Sequence, residues 1–206
     1  MTGQPDRYGS FSALREHEVE GVDYRIRMED RSSRVLVIAP HGGFIEPATS
    51  QIALEIAAES CSFYCFEGLA TDRSHHELHV TSERFDEPMA LSLVSRSQIV
   101  IAIHGRADRD DPETSWVGGL DSALRDLIVE VLRENGFGAV ARVRGEALAG
   151  TAAGNICNRG RRSVGVQLEI PRYVRDALMS DVERLGRYAG SVRQAIEQYD
   201  RVLAAD

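Results

Sequence analysis

Short, continuous apolar runs alternate along the chain with segments whose apolar residues recur at helical spacing. The runs at residues 35–39 and 98–103 are rich in β-branched residues and predict buried strands. Residues 120–134 and 181–203 place apolar side chains on one face and predict helices. Weaker strand patterns occupy residues 24–28, 62–66, 116–119, 139–143 and 164–168. This alternation of strands and helices predicts a three-layer α/β sandwich with a mixed β-sheet.

Two polar stretches interrupt the pattern. Residues 71–82 carry few apolar side chains, so we expect a loop or a short edge element near the surface. Residues 145–162 are rich in Gly, Ala and Asn without periodicity and predict a segment that wraps the surface. Glu46-Pro47 and Glu87-Pro88 each predict the start of a helix, because proline suits the first helical turn. No repeat or linker divides the chain, so one domain spans residues 1–206.

Composition describes a globular protein of ordinary domain size. The 206 residues are 43% hydrophobic and 27% charged. No segment approaches the roughly 20 apolar residues of a membrane span, and the first residues lack the apolar core of a signal peptide. We therefore expect a cytoplasmic monomer that does not bind membranes, released by lysis if a phage encodes it. The three cysteines, Cys61, Cys65 and Cys157, lack metal-site spacing and predict reduced thiols.

The charged residues of the chain exclude one class of binding partner and one kind of catalytic base. The net charge of −8 argues against general nucleic-acid binding. All 24 basic residues are arginine, which excludes lysine as a catalytic base.

Four chemically capable side chains stand where predicted strands end. They are His41, Glu46, His104 and Glu169. Open α/β sheets bind ligands at the carboxyl ends of their strands, so we expect these side chains to converge. Two imidazoles and a carboxylate can bind zinc and leave a fourth position open for water, and a further carboxylate can act as general base. We assign His41, Glu46 and His104 to a single zinc ion and Glu169 to the base.

A second interpretation of the first two residues stays open. His41 can simply terminate a strand, and Glu46 can favour the positive end of a helix dipole. The recurrence of a histidine followed by glycine after the strand at residues 98–103 favours the metal site.

The same residues lie in motifs that resemble a known family. APHGGFIEPATSQIA, FYCFEG, LHVTSERFDEP, IAIHG, NICNRG and VQLEIPR are similar, in this order, to motifs of the poly-γ-glutamate hydrolases of bacteriophages and bacilli. The resemblance spans residues 35–172 and implies a zinc carboxypeptidase-like fold, one zinc and amide hydrolysis. It also implies His41, Glu46 and His104 as ligands and Glu169 as base. Carboxypeptidases proper separate their first two ligands by two residues, whereas four intervene here.

Recognition of an anionic substrate requires cations near the metal. Asn158-Arg159 resembles the pair that binds a substrate carboxylate in zinc carboxypeptidases. Arg106, Arg109, Arg161 and Arg162 can extend a basic groove, although the last two also suit a solvated loop. His79 is a candidate proton donor or partner of a metal ligand. The roles of His75, His76, Asp86 and Glu87 stay open; for the last two the alternatives are orienting a zinc-bound histidine and capping a helix.

Three functions are compatible with these residues. The first is a zinc hydrolase that cleaves γ-glutamyl bonds of poly-γ-glutamate. The second is a zinc amidase that acts on a small N-acyl amino acid. The third is a catalytically inactive metal-binding interaction protein on the same fold. An open, arginine-lined groove favours the first, and a closed pocket around one arginine favours the second.

Overall fold

A single seven-stranded sheet forms the centre of the molecule. The structure, a computed structural model, describes residues 5–205. The strands are β1 (Tyr24–Glu29), β2 (Val35–Gly43), β3 (Ser62–Gly68), β4 (Ile99–Arg106), β5 (Thr114–Gly119), β6 (Gly138–Ala141) and β7 (Val166–Pro171), in the spatial order β1-β3-β2-β4-β7-β5-β6. The strands β3, β2, β4 and β7 run parallel, while β1 and β5 are antiparallel to their neighbours β3 and β7. The mixed sheet predicted from the sequence is confirmed.

Helices cover both faces of the sheet. They are α1 (Phe11–Leu14), α2 (Thr49–Ala57), α3 (His75–Leu78), α4 (Pro88–Arg96), α5 (Ser122–Glu134), α6 (Arg172–Ser180) and α7 (Val182–Ala205), with a 3-10 helix at Ile156–Arg159. We call the side packed by α2, α5, α6 and α7 the α7 face, and the side packed by α1, α4 and the 3-10 helix the α4 face. Each face carries its own apolar core, which accounts for the continuous apolar runs in the central strands.

Three local predictions differ from the structure. The second helix begins at Thr49, after Ala48 in a left-handed conformation (φ 75°), so Glu46 lies in the preceding turn. Residues 71–82 contain the short helix α3, and Leu78 and Val80 are buried in the α4-face core. Helix α6 was not predicted, because its few buried apolar residues, such as Val174 and Leu178, lie between charged ones.

The direction in which successive strands are added to the sheet changes between the adjacent strands β2 and β4. The connection from β2 to β3 runs through α2 on the α7 face, and the connection from β3 to β4 runs through α4 on the α4 face. Adjacent parallel strands whose connections leave to opposite sides form a topological switch point, where ligand sites of α/β sheets occur. The helices found among residues 5–205 are too short or too polar to span a lipid bilayer.

Candidate metal centre

A β-bulge turns His41 toward the α4 face. In β2, Val37 and Ala39 point to the α7 face, so strict alternation would send residue 41 to that face as well. The register against β3 shifts between Ala39 and Gly42, and this extra residue reverses the alternation. The imidazole of His41, only 2% exposed, therefore comes to lie beside that of His104.

A tight turn brings Glu46 back to the same point. The backbone N–H of Glu46 donates to the carbonyl of His41 at 2.8 Å. Gly43 in this turn has φ +63°, and a Cβ there would collide with the backbone of Gly68. The Gly-Gly pair therefore allows a close approach to β3.

Regular strand pairing places the remaining two side chains. His104 in β4 is directly opposite Glu169 in β7, and both point to the α4 face. They are buried, with 3% and 6% exposure. All four residues expected at the strand ends thus lie together at the switch point.

Three donor groups converge within this cluster. The Nδ1 atoms of His41 and His104 are 3.2 Å apart, and the Glu46 carboxylate lies 3.3 Å from the first and 3.5 Å from the second. The Nε2–H of His41 donates to the carbonyl of Val80 at 2.7 Å, which leaves a lone pair on Nδ1. The Nε2 of His104 contacts the Ser82 hydroxyl at 3.2 Å.

This convergence of acceptors fits a cation. Nδ1 of His41 and the carboxylate of Glu46 face the same point, so a proton or a metal cation must lie between them to offset their repulsion. These residues form a group of three whose ligand atoms all lie within 4.8 Å of one another. Nitrogen and oxygen donors in this number suit zinc.

The pKa shifts of Glu46 and His104 also indicate a site that favours a cation. Burial raises the pKa of Glu46, but the charges and hydrogen bonds of the two histidines outweigh it and hold that pKa well below its usual value. Burial lowers the pKa of His104, yet its contact with Glu46 produces a net increase. The carboxylate is therefore ionised, and the centre favours a positive charge beside it.

Glu169 differs from Glu46 in its surroundings. Burial is the main cause that raises the pKa of Glu169 to about 7. Gln167, two residues earlier on the same strand face, donates from Nε2 to one oxygen of Glu169 at 2.9 Å. Asn155 in turn donates to the amide oxygen of Gln167 at 2.8 Å. This chain of amides fixes the orientation of the Glu169 carboxylate.

A cleft of about 600 Å³ opens above the cluster. Most residues of three segments, 79–83, 105–109 and 146–152, line it. The metal-ligand candidates and Glu169 line it. A substrate in this cleft would meet all four residues.

Arg106 lines the cleft, but its guanidinium is largely occupied. Nη1 donates to the carbonyls of Ala107 and Asp108, and Nη2 donates to those of Asp111 and Thr114. Cζ of Arg106 lies over the Trp116 ring, 3.9 Å from the ring centroid. These contacts hold the loop that follows β4, and they leave only Nε without a partner among residues 5–205.

Arg109 lies in the same loop and also lines the cleft. It is exposed, and among residues 5–205 its side chain makes no hydrogen bond or ion pair. Its backbone has φ +47°, an uncommon value for a residue with a side chain. Arg109 therefore offers the cleft a free guanidinium.

His79 lies against the centre without joining it. Its ring is 4.0 Å from that of His41, centroid to centroid, and its Nδ1–H donates to Asp6 at 2.8 Å. Burial and the neighbouring His41 lower the pKa of His79, so the ring is neutral at pH 7. Nε2 has no partner in the described chain and carries a lone pair.

The structure places Asn158 and Arg159 outside the lining of the cleft. Arg159 is exposed and donates to the carbonyl of Phe85 at 3.0 Å. Asn158 is buried; its amide donates to the carbonyls of Gly150 and Ala152, and its oxygen accepts from two backbone N–H groups. Asn158 thus shapes the cleft wall from behind and makes no contact inside it.

Both carboxylates before α4 cap helices. Glu87 accepts from the N–H groups of Met89 and Ala90, and Asp86 accepts from those of Phe11 and Ser12. Neither orients a histidine of the centre. Of the two adjacent histidines, His75 lines the cleft and donates to the carbonyl of Ile45, whereas His76 does not line it.

Sequence reasoning missed three contributors to the site: Asp6, Asn155 and Gln167. Gln167 had a detectable signal, because the period of two places it on the same strand face as Glu169. Asp6 had none, since it lies in a polar segment 73 residues from its partner His79.

The arrangement of these residues is typical of hydrolases. A mixed α/β sheet that brings two histidines, one ionised glutamate and a second, buried glutamate to a single cleft is built to activate water, as hydrolases do.

Comparisons with known proteins give the family. Residues 8–202 match the family model described as poly-gamma-glutamate hydrolase, and the chain belongs to that family. The SPbeta prophage-derived UPF0714 protein YoqZ of Bacillus subtilis is 38% identical over 198 residues, which cover 96% of this chain and 70% of that protein.

Solved structures agree with this assignment. A bacteriophage poly-gamma-glutamate hydrolase superposes with a TM-score of 0.89 at 32% identity, covering 96% of this chain and 99% of the other. A zinc-free apo structure of YndL superposes with a TM-score of 0.86 at 33% identity, covering 93% and 98%.

Proposed function

We propose that this protein is a zinc-dependent hydrolase that cleaves the γ-glutamyl amide bonds of poly-γ-glutamate. The observation that carries the proposal is the convergence of His41, Glu46 and His104 at the floor of a cleft, with Glu169 beside them. The similarity to a bacteriophage poly-gamma-glutamate hydrolase supports the substrate, and the description of the YndL structure as zinc-free supports the metal.

The three ligand candidates would hold one zinc ion per chain, since they form the one such cluster found among residues 5–205. A bound zinc ion supplies a Lewis acid that polarises an amide carbonyl and lowers the pKa of water. The hydrogen bond from His41 to the Val80 carbonyl fixes the ring orientation that this role requires.

Glu169 acts as the general base. Gln167 holds one of its oxygens, so the other is available to accept a proton from the attacking water. The same carboxyl then delivers that proton to the amide nitrogen as the C–N bond breaks, which releases a neutral amine. The amine takes up a second proton, the one lost by the newly formed carboxylic acid. Placement opposite His104 supports this role, because it would keep Glu169 beside a carbonyl held at the metal.

Arg109 binds a substrate carboxylate. A γ-linked glutamate chain presents an α-carboxylate on every residue, and guanidinium binds carboxylate through paired hydrogen bonds. Arg106 is the less suited of the two cleft arginines, because both terminal nitrogens already donate to backbone carbonyls. One free guanidinium also suits the single carboxylate of a small N-acyl amino acid, which is the alternative substrate class.

Arg109→Ala is expected to raise KM for poly-γ-glutamate roughly tenfold, because an exposed, charge-assisted contact is worth about 1.5 kcal/mol. Arg109→Lys should recover only part of the loss, since an ammonium cannot form the paired contact. Steady-state kinetics at two salt concentrations measure both effects. Arg161→Ala is the matched control, because Arg161 is also exposed but lies outside the cleft. Equal KM values for the Arg109 and Arg161 variants would contradict the assignment.

Incubation of the zinc-loaded protein with poly-γ-glutamate tests the function directly. We expect the polymer length to fall, as followed by size-exclusion chromatography, and new amino groups to appear at the same rate. A parallel incubation with N-acetylglutamate distinguishes the alternative. Release of acetate with intact polymer would favour the small-molecule amidase, and no reaction with either substrate would contradict both.

A further inference from the structure

Arg175 of α6 is a buried cation that does not line the cleft. Its side chain reaches the sheet from the α7 face, where α6 packs against β4 and β7, and the residue is 4% exposed. Among residues 5–205, its polar contacts are all with backbone carbonyls and none is with a carboxylate. A buried charge without an ion-pair partner is costly, so a specific role is required to explain it.

The guanidinium joins three separate segments of backbone. Nε donates to the carbonyl of Ile170 at 3.0 Å, Nη2 donates to that of Arg106 at 3.3 Å, and Nη1 donates to that of Pro47. Each acceptor follows a site residue by one or two positions in the chain. Those site residues are Glu169, His104 and Glu46.

Gly105 lies between the guanidinium and the metal centre. A Cβ at this position would lie 2.5 Å from Cζ of Arg175, so only glycine permits the contact. The N–H of Gly105 donates to Oε2 of Glu46 at 2.8 Å. One residue of β4 therefore touches the arginine with its Cα and holds a ligand carboxylate with its N–H.

We propose that Arg175 is a positioning residue of the metal centre, a clamp that fixes the spacing of Glu46, His104 and Glu169 through the backbone behind each of them. The inference rests on the proposed function, because the spacing matters for metal binding and for the base. A guanidinium suits the task, since its rigid, planar set of donors can reach three acceptors at once, whereas an ammonium donates from one point.

The test compares zinc affinities, measured by competition with a chromogenic chelator, and needs no substrate. Arg175→Met keeps most of the side-chain volume and should weaken zinc binding about 10- to 100-fold, as loss of a residue that orients metal ligands typically does. Arg175→Lys should fall between this variant and the wild type. Arg172→Met is the matched control on the same helix, because Arg172 is exposed and pairs only with Asp176 there.

Kinetics separate positioning from a purely structural role. The clamp requires that kcat of the zinc-saturated Arg175→Met protein falls while KM stays within about twofold, because Arg175 does not contact the cleft. A lower melting temperature with wild-type zinc affinity and kcat would overturn the clamp and leave a structural residue. If Arg175→Met does not fold, Gly105→Ala tests the clamp instead, because the added Cβ would displace the guanidinium of Arg175. Wild-type zinc affinity in Gly105→Ala would also overturn the clamp. A wild-type protein that binds zinc but cleaves no polymer contradicts only the proposed substrate.

Discussion

Glu169→Gln is expected to keep its zinc and to lose about 10²- to 10⁴-fold in kcat, the usual effect of removing a general base. The glutamine has the same shape and can still accept the hydrogen bond from Gln167, so we expect the variant to fold normally. It cannot accept a proton from water. Substrate binding should persist, because Glu169 is not assigned to it.

Zinc content, binding and turnover are measured on the same preparation of this variant. Glu146→Gln is the control, since Glu146 also lines the cleft but pairs with Arg142. Loss of zinc from Glu169→Gln would make Glu169 a ligand and require Glu46 to be reassigned. Retention of both zinc and rate would leave Glu169 as a buried carboxylate without a catalytic role.

The double variant His41→Ala, His104→Ala is expected to purify without zinc. Two of the three protein ligands are removed, and the remaining carboxylate of Glu46 cannot hold the ion alone. Activity should fall by more than about 10³-fold, because metal polarisation of the carbonyl is worth several kcal/mol. Elemental analysis of the purified protein gives the metal content directly.

A second double variant, His17→Ala, His76→Ala, controls for the loss of two histidines. Neither residue belongs to the metal cluster or lines the cleft, so this protein should contain as much zinc as the wild type. Wild-type zinc content in the His41, His104 variant would show that the metal binds elsewhere.

The strand-end residues could be predicted because their local patterns are strong. The apolar runs before His41 and His104 identify central strands, and parallel strands of one sheet end at the same edge. The sequence did not reveal which face His41 occupies. That depends on the bulge between Ala39 and Gly42, which has no distinct local signature because Pro40 and Gly42 are equally typical of a turn.

Residues that act through tertiary contacts were harder to predict. Asp6 orients His79, and Asn158 ties together three segments distant in sequence. Arg175 belongs to a helix that the hydrophobic pattern did not reveal. The sequence suggested a substrate contact for Asn158, whereas the structure uses all three polar side chains to satisfy backbone and side-chain groups of the fold.

The position of β7 has a consequence for folding of the chain as it is synthesised. This strand is the last in sequence, yet it lies between β4 and β5 in the sheet. Until residues 166–171 have emerged from the ribosome, the edges of β4 and β5 have no partner there and can pair with other chains. Because sheet pairing between distant segments is slow, we expect slow refolding, and aggregation of chains truncated before β7. Glu169 would then reach the cluster only in the step that closes the sheet.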